Sequence, residues 1–149
     1  MTTIPINQFA ERLTEILPVM MREFLKRQVQ ELCQGKITMP QFLVMEYVHK
    51  HKEITMGDLA SFMQVSMATT SGIVDRLVRD GYLKRLPDPK DRRVIQVRLS
   101  TKGDGLLSRI LKRRKDMICQ TFGRISEDDR AEYLRILTQI RDILTTESK

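Results

Sequence analysis

The chain has 149 residues, 41% of them hydrophobic, and a formal net charge of +7. That length suits one domain, residues 1–149, with a composition sufficient for a packed core, and the charge favours an anionic partner. Two cysteines make no disulfide framework, and neither a signal peptide nor a membrane-length apolar run is visible, so a cytoplasmic protein without a membrane partner is expected.

The charge is unevenly placed. Residues 1–81 balance at nine basic and nine acidic side chains, whereas residues 82–103 contribute +5, residues 104–124 +4 and residues 125–149 −2. A generally soluble basic protein need not concentrate its excess in this way.

In chain order, residues 7–33 carry a helical stripe of Phe9, Leu13, Ile16, Leu17, Met20 and Phe24, continued by Leu25, Val29 and Leu32. Pro18 removes one backbone bond and crowds the carbonyl four residues back, which predicts a kink or a break. The stripe is long for a helix lying on one small domain; ordinary packing and cover by a second chain are both open. Gly35-Lys36 closes this helix. Thr38-Met39-Pro40-Gln41 opens the next with a capping residue, a reciprocal glutamine and a proline tolerated in the first turn. Phe42, Leu43, Met45, Tyr47 and Val48 supply its inner faces, and His49 to Lys52 its polar tail.

His49 and His51 stand at i and i+2, which do not face each other on a helix, so they read as a charged helix end and no metal site is expected. Cys33 reads as structural, and Cys119 as packing beside Phe122.

Residues 54–103 organise the remainder. Ile54–Thr55 reads as a short strand. Thr55 with Asp58 resembles a capping box and starts a helix at Met56, with Leu59, Ala60 and Met63 as its apolar stripe. Gln64-Val65-Ser66 is a turn in which Val65 is placed to plug the angle between two helices. Ser66 caps the second, whose inner stripe is Thr70, Ile73, Val74 and Leu77. Gly81 ends it with a left-handed residue. Leu83, then Ile95, Val97 and Leu99, alternate with Lys84, Gln96 and Arg98, which predicts two half-buried strands around the charged loop Pro87–Arg93.

These residues resemble the MarR family of bacterial winged-helix regulators. The likeness is carried by Thr38 and Gln41, by Ser66 through Gly81 with Val74-Asp75-Arg76-Leu77, by Gly81-Tyr82-Leu83, by the wing Asp88-Pro89-Lys90-Asp91-Arg92-Arg93, and by the exit Leu99-Ser100-Thr101-Lys102-Gly103. Gln64 stands where many members have glycine, and so has to adopt an unusual backbone angle if the turn is the same. Gly72 stands where many carry a long polar side chain.

The resemblance implies a mainly α, winged helix-turn-helix lobe over residues 38–100, with residues 1–34 and 101–149 forming dimerisation helices. The element order is then helix, helix, short strand, two helices, two wing strands, two helices. It implies a homodimeric regulator of transcription, a repressor that binds duplex DNA at a palindromic operator. A small phenolic or anionic inducer would weaken that binding from a site between the DNA-binding lobe and the dimer helices. The expected DNA face comprises Thr38, Ser66, Met67, Ala68, Thr69, Ser71, Gly72, Asp75, Arg76, Lys84, Lys90, Asp91, Arg92 and Arg93. Arg93 resembles the family's minor-groove arginine, with Asp91 orienting it by a salt bridge.

Beyond the wing, Ser100 or Thr101 caps a long helix whose apolar side includes Leu106, Leu107, Ile110, Leu111, Met117, Ile118 and Phe122, and whose basic run Lys112–Lys115 reads as a solvated face. Ser126 caps the last helix, on which Tyr133, Ile136, Leu137, Ile140, Ile143 and Leu144 form a heptad-like seam. With Phe9, Leu13 and Leu17, the seam residues Tyr133, Leu137, Ile140 and Leu144 are the expected dimer interface.

An enzyme is the weaker reading, because no nucleophile with a nearby base, glycine-rich phosphate loop or metal spacing is present, and no cofactor is expected. A winged helix used for protein contacts remains an alternative, although such a wing has no need of a +5 charge.

Overall fold

The chain is described by a computed structural model over residues 3–32, 36–51 and 53–147. The assignments made for Cys33, Gly35 and Lys52 lie outside the described residues. The elements are α1 (Ile6–Leu32), α2 (Met39–Lys50), α3 (Met56–Met63), α4 (Met67–Arg79), β1 (Leu83–Pro87), β2 (Ile95–Leu99), α5 (Thr101–Phe122) and α6 (Glu127–Glu147). Internal contacts group the chain into two units, Met1–Leu111 and Lys112–Lys149.

Local chemistry sets most helix starts in the first unit. Thr38 and Gln41 form a complete capping box, with the Thr38 N–H donating to Gln41 Oε1 at 2.8 Å and the Gln41 N–H to Thr38 Oγ1 at 3.4 Å. Thr55 and Asp58 do the same for α3 at 2.9 and 3.1 Å. The Thr55 backbone N–H, and then its side chain, hold the Asp58 carboxyl below its usual pKa. Ser66 caps α4 by accepting the Thr69 N–H at 3.1 Å. Each such cap contributes about 1 kcal/mol.

The expected strand at Ile54–Thr55 is reduced to a single bridge. Thr55 pairs with Gln96, and the Val97 N–H donates to the Ile54 carbonyl at 2.8 Å. The pairing stops there because Thr55 is already the N-cap of α3. β1 and β2 form an antiparallel hairpin in which Leu83 faces Leu99 and Lys84 faces Arg98. The core between the helices and this hairpin is filled by Phe42, Met45, Leu59, Val74, Leu77, Val97 and Leu107, all at most 1% exposed. Burial of side chains of this size contributes about 1.5–3 kcal/mol each.

Of the two outcomes expected at Pro18, a kink or a break, the break does not occur, and helix α1 continues through the proline. Two other expectations are corrected. Val65 does not plug the helix-helix angle: it is 39% exposed, and its N–H instead bonds the Ala60 carbonyl at 3.3 Å, so that its backbone rather than its side chain closes the turn. Gln96, placed on the polar face of the hairpin, is 4% exposed, with its side-chain amide donating to Asp88 Oδ2 at 2.6 Å and its oxygen accepting from Arg98 Nη2 at 3.2 Å.

The turn itself carries strain. Gln64 adopts φ 53° and ψ 39°, the left-handed conformation, and is the single non-glycine residue with positive φ among the described residues. A side chain in that region costs about 1–2 kcal/mol. Gln64→Gly is therefore expected to stabilise the fold by about 1 kcal/mol, after allowing for the greater freedom of glycine in the unfolded chain. Urea unfolding at equal protein concentration checks it; an unchanged or lowered midpoint would show that the Gln64 side chain compensates for its backbone.

In the second unit, Ser126 Oγ accepts the Asp129 N–H at 3.1 Å and starts α6. Arg130 Nη1 donates to the carbonyls of Phe122 at 3.2 Å and Ile125 at 2.5 Å, so one side chain serves two carbonyls where α5 ends. The Phe122 and Tyr133 rings stack at 5.4 Å. No residue of α6 is buried, and Tyr133, Leu137, Ile140 and Leu144 are 37–60% exposed. In the first unit, Phe9, Leu13 and Leu17 of α1 are similarly open, at 39–47%. Cys119, expected to pack, is exposed.

Candidate nucleic-acid interface

Helix α4 divides cleanly into two faces. Thr70, Val74 and Leu77 recur at i, i+4 and i+7 and are fully buried, and Ile73 is half-buried beside them. Thr70, the polar member, satisfies its hydroxyl on the Ser66 carbonyl at 3.0 Å. This stripe fixes the rotation of the helix, so its other side is turned to solvent. Met67, Ala68, Thr69, Asp75 and Arg76 are exposed there, with Ser71 and Gly72 half-buried. Ser66 and Thr69 also share a hydroxyl–hydroxyl bond of 3.0 Å at the start of the helix.

The wing is tied to this outer face. Arg85 on β1 pairs with Asp75 on α4 at 2.5 Å. Asp75, expected on the DNA face, is exposed, and its carboxylate pairs with Arg85, which ties the hairpin to the helix. Arg85 itself was not anticipated. Period two puts Arg85 on the same face as Leu83, but it is exposed, and the sequence alone does not name its partner.

The loop between the strands is built around Asp88. Its Oδ1 accepts the Lys90 N–H at 2.7 Å and the Asp91 N–H at 3.2 Å, while its Oδ2 accepts from Gln96 Nε2 at 2.6 Å. The Lys90 N–H first, then that of Asp91 and the Gln96 amide, hold the Asp88 carboxyl below its usual pKa. Gln96 passes the network on by accepting from Arg98 Nη2 at 3.2 Å. An aspartate bonding main-chain N–H groups two and three residues on is a local turn device, so the role of Asp88 was legible in Asp88-Pro89-Lys90.

Asp91 does not orient Arg93 as expected. Its Oδ1 accepts the Arg93 backbone N–H at 3.0 Å, and among the described residues no ion pair joins the two side chains. The carboxylate thus fixes the main chain of the wing tip and leaves the guanidinium outside. Lys90, Arg92 and Arg93 are all exposed, as is Lys84 lower on the hairpin, where it lies opposite Arg98. Thr38 is exposed too, but its hydroxyl is used by its own capping box.

Residues 37–95, from the entry to α2 to the start of β2, match the model of the MarR family. The winged-helix core of this chain is thus similar to the MarR family. Relatives of this chain include the uncharacterized HTH-type transcriptional regulator YsmB of Bacillus subtilis, 26% identical over 110 residues that cover 74% of this chain and 75% of the relative. The HTH-type transcriptional repressor NicR of Pseudomonas putida is 25% identical over 145 residues, 95% of this chain and 92% of the relative. Among solved structures, a MarR family protein from Bacillus stearothermophilus superposes with a TM-score of 0.85, at 24% identity, over 96% of this chain and 99% of that one. A mutant of Staphylococcus aureus MepR bound to an oligodeoxyribonucleotide superposes at 0.68, with 23% identity, over 88% and 96%. At these identities the structural likeness establishes the fold. No described helix of this chain is long and apolar enough to cross a membrane.

Proposed function

We propose that this chain is a sequence-specific, duplex-DNA-binding transcription regulator, a homodimeric repressor acting on a palindromic operator in the cytoplasm. The Asp75–Arg85 ion pair carries the reading. It holds a basic wing beside the solvent face of a helix whose opposite face is locked into the core. A helix exposed in this way fits the major groove, where side chains read base edges. A wing presenting Lys90, Arg92 and Arg93 suits the phosphates and the narrow minor groove beside it. MepR, a neighbour in fold, has been solved with DNA.

The family resemblance adds a small phenolic or anionic inducer that loosens this binding. It also assigns residues 38–100 to the DNA-binding lobe and residues 1–34 and 101–149 to dimerisation.

Selection of bound duplexes from a random pool tests the proposal, since a symmetric consensus is expected and recovery of no consensus would oppose it. Within that assay Arg93→Ala is expected to weaken operator binding by about 1–3 kcal/mol and to relax selection at the positions under the wing. Lys84→Ala, at the base of the hairpin, should weaken binding to all sequences alike and reduce the salt slope by about one. Titrations at several salt concentrations separate the two, and unchanged operator affinity for Arg93→Ala would remove the wing from the mechanism.

A further inference from the structure

Gly72 lies in the interior of α4, at the sixth of its thirteen positions, where glycine is about 1 kcal/mol less favourable than alanine. The fold does not require it. Among the described residues Gly81 is the one glycine with positive φ, so the backbone of Gly72 is open to any residue. A Cβ built on Gly72 meets nothing within 4 Å, so packing does not exclude a side chain either. A residue that weakens its helix and satisfies no constraint of the fold marks a functional position.

Its place on the helix says which function. At 3.6 residues per turn, Ala68 and Gly72 stand one above the other, opposite the buried Thr70–Val74–Leu77 stripe. They form the N-terminal half of the outward crown, which Asp75, paired with Arg85, and Arg79 continue, and between them they present one methyl group and a bare stretch of backbone. Polar side chains capable of hydrogen bonding, Thr69, Ser71 and Arg76, lie to either side. This half of the crown cannot read a base by hydrogen bonds. It can let the helix settle deep in the major groove and press an apolar surface against the C5-methyl of thymine.

We propose that Gly72 is a specificity-determining residue: its missing side chain allows close approach of α4, and with the Ala68 methyl it selects a thymine in each half-site. This inference rests on the DNA-binding reading above.

The test uses the full chain and the operator that it selects from a random duplex pool. Each thymine of both half-sites is replaced in turn by uracil, which lacks only the C5-methyl. One symmetric position is expected to lose about four-fold in affinity per half-site, the transfer energy of one buried methyl expressed as binding. Gly72→Ala should raise the unfolding temperature while lowering affinity for the same operator by about ten-fold, the low end of the cost of one mismatched base pair. Gly72→Gln, carried through a fresh selection, should exchange thymine at that position for an adenine read by the amide. If the wild type selects a defined operator but the uracil scan is flat, or Gly72→Ala binds as tightly as wild type, the inference is overturned and the DNA-binding reading stands. A wild-type chain that selects no sequence overturns both.

Discussion

Gly103→Ala is expected to destabilise the winged-helix unit by ~3 kcal/mol or more, at the upper end of what overpacking costs. Gly103 sits in the first turn of α5, where the helix passes against the base of the hairpin. A Cβ there would lie 2.0 Å from the Tyr82 carbonyl oxygen and 2.9 Å from its carbon. Both are backbone atoms, and that carbonyl already accepts the Ser100 N–H at 3.0 Å. Nor is the surrounding junction free to shift. Ser100 Oγ donates to the Gly81 carbonyl at 2.5 Å and accepts the Gly103 N–H at 2.9 Å, while Lys102 Nζ donates to the Asp80 carbonyl at 2.8 Å. These bonds staple the end of α4, the start of β1 and the start of α5 at one point, so a methyl group inserted there has to displace all three.

Gly105, two residues on in the same helix, provides the contrast. A Cβ on it meets nothing within 4 Å, so Gly105→Ala should stabilise α5 by up to about 1 kcal/mol from helix propensity alone. Thermal or urea unfolding of the pair measures both. Equal midpoints for Gly103→Ala and wild type would mean that the α5–hairpin junction yields without cost, and would contradict the close approach described here.

The second large effect concerns association. Helix α6 buries none of its residues, and Leu137, Ile140 and Leu144 stand 44%, 45% and 60% exposed in one seam. Phe9, Leu13 and Leu17 leave a comparable face open on α1. A folded protein rarely leaves contiguous apolar patches of this kind uncovered. Pairing of each seam with a second copy would recover about 25 cal/mol per Å² of apolar surface, and obligate interfaces commonly exceed ~2,000 Å² in total.

The wild type is therefore expected to sediment as a dimer at micromolar concentration. Leu137→Asp combined with Ile140→Asp is expected to give a monomer or an unfolded chain, in both cases without operator binding. Dimerisation would also account for a palindromic operator, because a two-fold axis repeats the recognition helix about one turn of DNA away. A wild-type monomer that is well folded and binds its operator one to one would sink this proposal.

Features that act within about four residues were legible in the amino-acid chain alone. The capping boxes of Thr38 with Gln41 and Thr55 with Asp58, the Ser66 and Ser126 caps, the left-handed Gly81 and the Thr70–Val74–Leu77 stripe were all readable, because each depends on groups that the local backbone conformation brings together. The resemblance to the MarR family was legible for the same reason, since its motif is a string of such local devices.

Contacts between residues distant in sequence became visible with the fold. Asp75 meets Arg85, Asp88 meets Gln96 and Ser100 meets Gly81, and none of these partners can be chosen before the hairpin register and the path of α5 are known. The burial of Gln96, the exposure of Val65 and the shrinkage of the Ile54–Thr55 strand to one bridge belong with them. Residue type fixes what a side chain can bond, but which atoms arrive within 3 Å of it is settled by how the helices and the hairpin pack.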